Sequence, residues 1–295
     1  MTTTTSVAKA GAAADTSVRR RNPFYRYAVH VVVIFLMIIW LLPTIGLLVN
    51  SFRPEQDVAT TGWWSPTGLT LANYQEVLAQ NGIGEAFINS LFITIPATII
   101  PIAVASFAAY AFAWMEFPGR NVLFVVVVGL LVVPLQTTLI PILRLFAGFG
   151  INGQFLAVWL AHTGYGLPFA IYLLRNFMGS LPREVFESAA IDGASPVVSF
   201  FRLALPMSVP AIAALAIFQF LFVWNDLLVA LIYIGASNSE NLPLTVAVAN
   251  LVNSLGGGWH LLGAAAFLSM ALPLAVFFAL QRYFVRGITG GAVKG

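Results

Sequence analysis

FINSLFITIPATIIPIAVASFAAYAFAW, residues 87–114, contains no Asp, Glu, Lys, Arg or His. A helix rises ~1.5 Å per residue, so this stretch exceeds the ~30 Å hydrocarbon core of a bilayer. Five more apolar runs of comparable length flank it, at about 28–50, 121–142, 154–177, 207–234 and 260–284. The chain therefore reads as an all-α, polytopic membrane protein with six transmembrane helices. The first run is not a cleavable signal: it is too long, lacks a small-residue cleavage site, and precedes five others.

Composition agrees. Of 295 residues, 59% are hydrophobic and 8% charged, and the mean hydropathy is +0.89. A soluble domain carries about 25% charged residues; this chain has too few to cover a surface facing water alone, and lipid must supply the rest. The net charge of +3 and pI near 9.4 do not point to nucleic acid. The basic residues sit at the ends of apolar runs rather than in a stripe with interleaved aromatics. With no cysteine, disulfide and thiolate chemistry are excluded.

Orientation follows from the basic residues. With a cytoplasmic N-terminus, Lys9, Arg19, Arg20, Arg21, Arg26, Arg120, Arg175, Arg183, Arg202, Arg282, Arg286 and Lys294 all lie inside, and only Arg53 and Arg144 lie outside. The positive-inside rule favours that arrangement, which puts both termini in the cytoplasm. Residues 1–25, rich in Thr and Ala and carrying Arg19–Arg21, read as a disordered cytoplasmic tail. The outer loop 51–86 contains Trp63, Trp64 and Pro66, suited to an interfacial cover, and the outer loop 235–258 ends in Gly256, Gly257 and Gly258. Pro43, Pro96, Pro101, Pro134, Pro141, Pro168, Pro210 and Pro273 fall inside the runs. As a set they read as a bent bundle around a path that opens and closes.

Several chemistries are missing. A phosphate-cradling G-x-x-x-x-G-K-[ST] loop needs a Gly-Lys pair, but Lys9 follows Ala8 and Lys294 follows Val293. His30, His162 and His260 have no metal-ligand spacing, so no metal site is expected. No nucleophile–base set emerges. Asp226 is the clear acid within an apolar run, and it faces either a cavity or partner at membrane depth or hydrated surroundings near the outer interface. A proton- or ion-coupled carrier would carry more such acids. His162 reads as a satisfied buried histidine.

The inner loop 178–206 contains SLPREVFESAAIDGASPVVSFFRLALP (180–206), in which two short helices are legible. Ser180 is a candidate N-cap, with Pro182 in the first turn. Gly193 suits the left-handed residue after a helix, and Ser195–Pro196 is a second start signal. Pro206 is expected to close the second helix. Asp192 lies near a helix C-terminus, where negative charge is disfavoured, which points to a partner or to capping of the next helix. Pattern alone leaves a docking knob and an amphipathic connector both open.

ESAAIDGAS (187–195) followed by Leu205–Pro206 resembles the EAA loop of binding-protein-dependent ABC importer permeases, with Ser188 where that family usually has Ala and Leu203 where Ile is common. Residues 89–119 and 139–182, WNDLL at 224–228 and RGITGGAVKG at 286–295 are similar to the maltose-transporter type of carbohydrate permease. SFRPEQDVATTGWW (51–64) is similar to the α-glucoside members. The resemblance covers about 50–295.

It implies a permease domain over 26–285 in a bacterial or archaeal cytoplasmic membrane, with Glu187, Ser188, Ala189, Ala190, Asp192, Gly193 and Ala194 coupling to an ATPase. Gly291 and Lys294, in the cytoplasmic tail 286–295, would reach the same ATPase. It implies a homologous second permease, two ATPase copies and an extracytoplasmic sugar-binding protein. ATP and Mg would be bound by the partners, leaving this chain without a cofactor. It implies inward sugar transport by alternating access, driven by ATPase subunits and not by this chain. Polar residues at membrane depth make Gln136, His162, Gln219, Asn225 and Asp226 candidates for the path. Trp224 and Phe222 are candidate sugar platforms, although core packing or lipid contact is the simpler reading of such aromatics.

Overall fold

A computed structural model describes residues 23–65, 68–79, 82–235, 240–251 and 258–292, with side chains described except at 23–25 and 282–292. The expected tail 1–25 thus falls outside the described residues up to residue 22, as do Pro66, Gly256, Gly257 and Lys294. Among the described residues every regular element is helical.

The described residues divide into two compact units, up to Gly46 and from Leu47 on. The first contains most of α1 (Pro23–Ser51), a continuous apolar helix through Pro43. The second holds the remaining elements. These are α2 (Glu55–Thr60), α3 (Ala72–Ala79), α4 (Ile83–Trp114), α5 (Arg120–Leu130), α6 (Leu135–Gly148), α7 (Phe155–Met178), α8 (Arg183–Ile191) and α9 (Pro196–Ser199). After a π-helical turn (Phe200–Ala204) come α10 (Leu205–Met207), α11 (Val209–Trp224), α12 (Leu228–Tyr233), α13 (Leu244–Ala249) and α14 (Trp259–Ala292).

Arg26–Ser51, Ile83–Trp114, Phe155–Met178 and Trp259–Gln281 are long and apolar enough to cross a bilayer unaided. Two bent pairs pass only together: Arg120–Leu130 with Leu135–Gly148, bent by 101°, and Pro196–Met207 with Val209–Trp224, bent by 70°. The run 121–142 is therefore not one straight helix. Pro134 disfavours helical geometry at Val133 and has no N–H to donate, so α5 ends and α6 restarts behind Pro134. The run 207–234 likewise breaks at Asn225–Leu227, between α11 and α12. Pro43, Pro96, Pro101, Pro141, Pro168 and Pro273 are carried inside helices, whereas Pro134 and Pro210 stand at helix starts beside the sharp bends.

The centre of the second unit is the α4–α7 pair. Ala97, Ala105 and Ala109 on α4 and Ala157, Ala161 and Ala170 on α7 are all buried. Small side chains let helix backbones approach closely in lipid, where apolar surface by itself gives no driving force for association. The opposite face of α4 leaves Phe92, Ile99 and Phe107 exposed, as a helix facing lipid or another subunit requires. α11 packs against α4 and α14. At its contact with α7, Gly166 leaves room for the Gln219 amide, which donates to Ala97 O at 3.2 Å. A Cβ on Gly166 would stand 2.6 Å from Gln219 Oε1.

Arg53 is fully buried. Its guanidinium donates to Asn50 Oδ1, Asp57 O and Thr61, and so ties the end of α1 to the loop after α2. Asn73 closes the same knot by donating to Ser51 O and Arg53 O.

Candidate functional site

Two places carry the residues that the sequence marks. The first is a projecting helix pair. α8 starts after Pro182, which is its N-cap residue, not in its first turn. Ser180 instead donates its hydroxyl to Phe177 O at 2.8 Å and so serves the end of α7, not the start of α8. At the other end Gly193 has φ +81°. Gly193 N–H donates to Ala190 O at 3.1 Å and Ala194 N–H to Ala189 O at 2.9 Å. This is a Schellman closure, which uses a left-handed residue to satisfy the last carbonyls of a helix. Ser195, not Asp192, then caps α9, accepting from Val198 N–H at 3.4 Å, and Pro196 opens that helix. The second helix ends at Met207, one residue past Pro206. The chain runs on through the π turn and α10, and bends at Ser208.

The tip of this pair is apolar and exposed, with Ile191 at 87% and Val197 at 64%. Glu187, Ser188, Ala190, Asp192 and Gly193 are exposed beside it; Ala189 and Ala194 are half-buried. Its base is firmly held. Phe186 is buried and stacks on Trp114 with ring centroids 3.9 Å apart. Trp114 Nε1–H donates to Met178 O at 3.0 Å. One aromatic anchor thus joins the knob to the ends of both α4 and α7. Sequence reasoning missed Phe186 and Trp114, although Phe186 is the one aromatic residue of the otherwise small and charged stretch 182–195.

The second place is a cleft of about 570 Å3 between the α5–α6 elbow, α7 and α11, lined by Leu131, Leu135, Thr138, Phe146, Tyr165 and Phe222 among others. Its walls are apolar except where hydroxyls meet. Thr138 Oγ1 lies 3.1 Å from Tyr165 Oη, and Tyr165 Oη lies 2.9 Å from Tyr233 Oη. Tyr233 donates to Leu139 O at 3.3 Å. Thr138, Tyr165 and Tyr233 had not been singled out in the sequence. Single hydroxyl residues in apolar runs give no periodic signal.

The polar and aromatic candidates do not form one cluster. His162 is fully buried, one ring nitrogen 3.6 Å from Asp226 Oδ2, with the Phe222 ring edge-on at 5.7 Å between centroids. The expectation of a satisfied histidine fails, since neither ring nitrogen has a hydrogen-bond partner among the described residues. Asp226 accepts from Val229 N–H at 3.3 Å and Ala230 N–H at 3.0 Å, covering free donors at the start of α12. Gln219 is buried as helix glue, and Trp224 is buried between Phe87 and Phe220 with Nε1–H donating to Ser269 O at 3.0 Å. Core packing accounts for Trp224. Asn225 and Gln136 are exposed. Gly291 lies in the helical backbone of α14. Among the described residues no group of three His, Cys, Asp or Glu stands close enough to hold a metal.

The profile of a family described as "Binding-protein-dependent transport system inner membrane component" matches residues 101–290. An osmoprotective compounds uptake permease protein of Synechocystis sp. is 56% identical over 283 residues, covering 93% of this chain and 95% of its own. An alpha-glucoside transport system permease protein of Rhizobium meliloti is 41% identical, covering 94% of this chain and 99% of its own. In fold, a chain from the crystal structure of a bacterial ABC transporter involved in the import of alginate matches with a TM-score of 0.77. That match has 19% identity and covers 90% of this chain and 98% of that one.

Proposed function

Because the chain belongs to the family of binding-protein-dependent transport system inner membrane components, we propose that it is one of two homologous permease subunits of an ATP-driven importer that takes up a sugar. The chain crosses the cytoplasmic membrane six times, each bent pair counting as one crossing, with both termini inside as the basic residues require. The substrate is an α-glucoside of di- or oligosaccharide size. The name of the Rhizobium relative supports that reading, and the name of the Synechocystis relative makes a compatible solute the rival.

One observation carries the reading: an exposed, glycine-closed helix pair whose base is locked by Phe186 and Trp114 to two long helices. Such a knob can take a push from outside the membrane and pass it to α4 and α7 as a rigid unit. Two ATPase copies, binding ATP and Mg, close and press on the knobs of the two permeases. The pair then turns from inward- to outward-facing, accepts sugar from an extracytoplasmic binding protein, and releases it inside after hydrolysis. This chain forms half of the path and performs no hydrolysis. The cleft between the elbow, α7 and α11 is its contribution to that path.

The test is ATPase activity of the reconstituted importer, with its binding protein, against α-linked disaccharides, a peptide, phosphate, an amino acid and glycine betaine. The native chain and Gly193→Pro are compared. Sugar-dependent stimulation that disappears in the assembled variant is the expected result. Stimulation by a non-sugar alone keeps the importer and removes the sugar. Uptake without any ATPase subunit overturns the reading in favour of a self-sufficient carrier.

A further inference from the structure

The turn between α4 and α5 holds two opposite charges that do not use each other. A cavity of about 360 Å3 is lined there by Glu116, Phe117, Gly119, Arg120, Asn121 and Val122. Gly119, with φ +80°, turns the chain so that Glu116 and Arg120 border one space. The Arg120 guanidinium donates to Met115 O at 3.0 Å, and its other N–H groups meet no acceptor among the described residues. Glu116 is exposed and, among the described residues, has no hydrogen-bond or ion-pair partner. Phe117 is held in place by Phe112, with ring centroids 5.8 Å apart, and Phe112 packs on Phe124 at 5.6 Å. Beyond the cavity the wall turns apolar. Val122, Val125 and Val126 share one face of α5 by helical spacing and are all exposed, the first two at 68%.

We infer that this cavity seats the headgroup of a zwitterionic phospholipid, with the phosphate on Arg120 and the ammonium of phosphatidylethanolamine on Glu116. Hydrogen bonds between charged groups are the strong ones. In a space bordered by one acid and one base, only a ligand with both signs meets both. A phosphatidylglycerol headgroup satisfies Arg120 but brings net negative charge to Glu116. A phosphatidylcholine headgroup has both charges, but its quaternary ammonium has no N–H to donate. The cavity volume falls within the ~300–1,000 Å3 of small-molecule sites. The valine face points to a lipid rather than to a soluble zwitterion or a protein, since acyl chains have an apolar track along Val122, Val125 and Val126. In the orientation proposed above this turn is cytoplasmic, so the lipid belongs to the inner leaflet. The inference rests on that reading for the leaflet, and on the cavity for the headgroup.

The test reads lipid binding to the complete purified importer by native mass spectrometry, without sugar or ATP, so its result stands apart from the transport reading. Phosphatidylethanolamine, phosphatidylcholine and phosphatidylglycerol with identical acyl chains are the probes. Wild type binds phosphatidylethanolamine about tenfold more tightly than either of the others, the size of one hydrogen bond to a charged group. Glu116→Gln abolishes the preference over phosphatidylcholine. Arg120→Gln weakens phosphatidylethanolamine and phosphatidylcholine alike, by about tenfold, because both bring the same phosphate. Equal binding of the three lipids by wild type, or a preference that survives both substitutions, overturns the site. Unchanged lipid binding in both variants with weaker copurification of the ATPase would make the turn a protein contact and also overturns it. Other subunits meet lipid too, so a photoactivatable phosphatidylethanolamine locates the site in the unmodified importer. Cross-links within residues 115–126 of this chain support the proposal, and cross-links found only elsewhere overturn it, whether or not the variants assemble.

Discussion

His162 Nε2 stands 3.6 Å from Asp226 Oδ2 inside the helix bundle, too far for a hydrogen bond and too close for the two groups to ignore each other. The carboxylate is already engaged by two backbone N–H groups of α12. Asp226 therefore serves first as the cap of a helix that restarts inside an apolar run. The imidazole packs against it without a bond of its own.

Removing the cap exposes that division of labour. Asp226→Ala leaves Val229 N–H and Ala230 N–H unmet and costs about 1–2 kcal/mol, in the range of other lost N-caps. Asp226→Asn keeps one acceptor and costs less than half as much. His162→Leu removes two unpaired ring nitrogens, so it is neutral or stabilising. Thermal unfolding of the detergent-solubilised importer checks all three; a His162→Leu loss as large as that of Asp226→Ala would contradict the cap-first reading.

The Gly166–Gln219 contact predicts a coupled pair. Gly166→Ala pushes a Cβ into the Gln219 amide and breaks its bond to Ala97 O, at a cost of about 1–2 kcal/mol. Gln219→Ala alone empties the same space. The double variant is destabilised by less than the sum of the two, and a double-mutant cycle in unfolding midpoints measures the difference. Strict additivity would mean that the two residues do not meet.

Phe186 is expected to transmit motion as well as to anchor. Phe186→Ala unstacks Trp114 and opens a void, at a cost of about 3–5 kcal/mol. ATP hydrolysis persists, while uptake falls at least tenfold because the knob moves without α4 and α7. Phe186→Leu recovers part of the uptake. Equal loss of hydrolysis and uptake would show that the anchor holds the subunit together without carrying the stroke.

At Gly193 the backbone sets the tolerance. Its φ of +81° costs an L-residue about 1 kcal/mol, and proline cannot adopt it at all. Copurification of the ATPase therefore falls in the order Gly193, Gly193→Asn, Gly193→Ala, Gly193→Pro. Full retention with proline would show that the turn does not shape the docking surface.

Much of the architecture was legible in one dimension. Long runs without charge have one stable solution in lipid, a helix with every backbone group bonded to itself, so α1, α4, α7 and α14 lie where hydropathy puts them. Gly193, Ser195 and Pro196 were equally readable because their signals are local and stereochemical. Pro134 was visible, but hydropathy does not register a bend, and the elbow between α5 and α6 had been expected as one span.

The path candidates separate along the same line. Polarity at depth drew attention to Gln219, Asp226 and His162, yet the first two bond to backbone and the third lies against Asp226. The hydroxyls that meet at the cleft, those of Thr138 and Tyr165, lie 27 positions apart on different helices. By itself the sequence determined that this chain lives in a bilayer, where its helices run, and how the Gly193 turn closes, since each depends on neighbours along the chain. Only the tertiary structure decided which polar groups are bonded within the protein and which, like the His162 ring nitrogens, are not. That depends on which helix faces meet, and helices far apart along the chain meet only once it has folded.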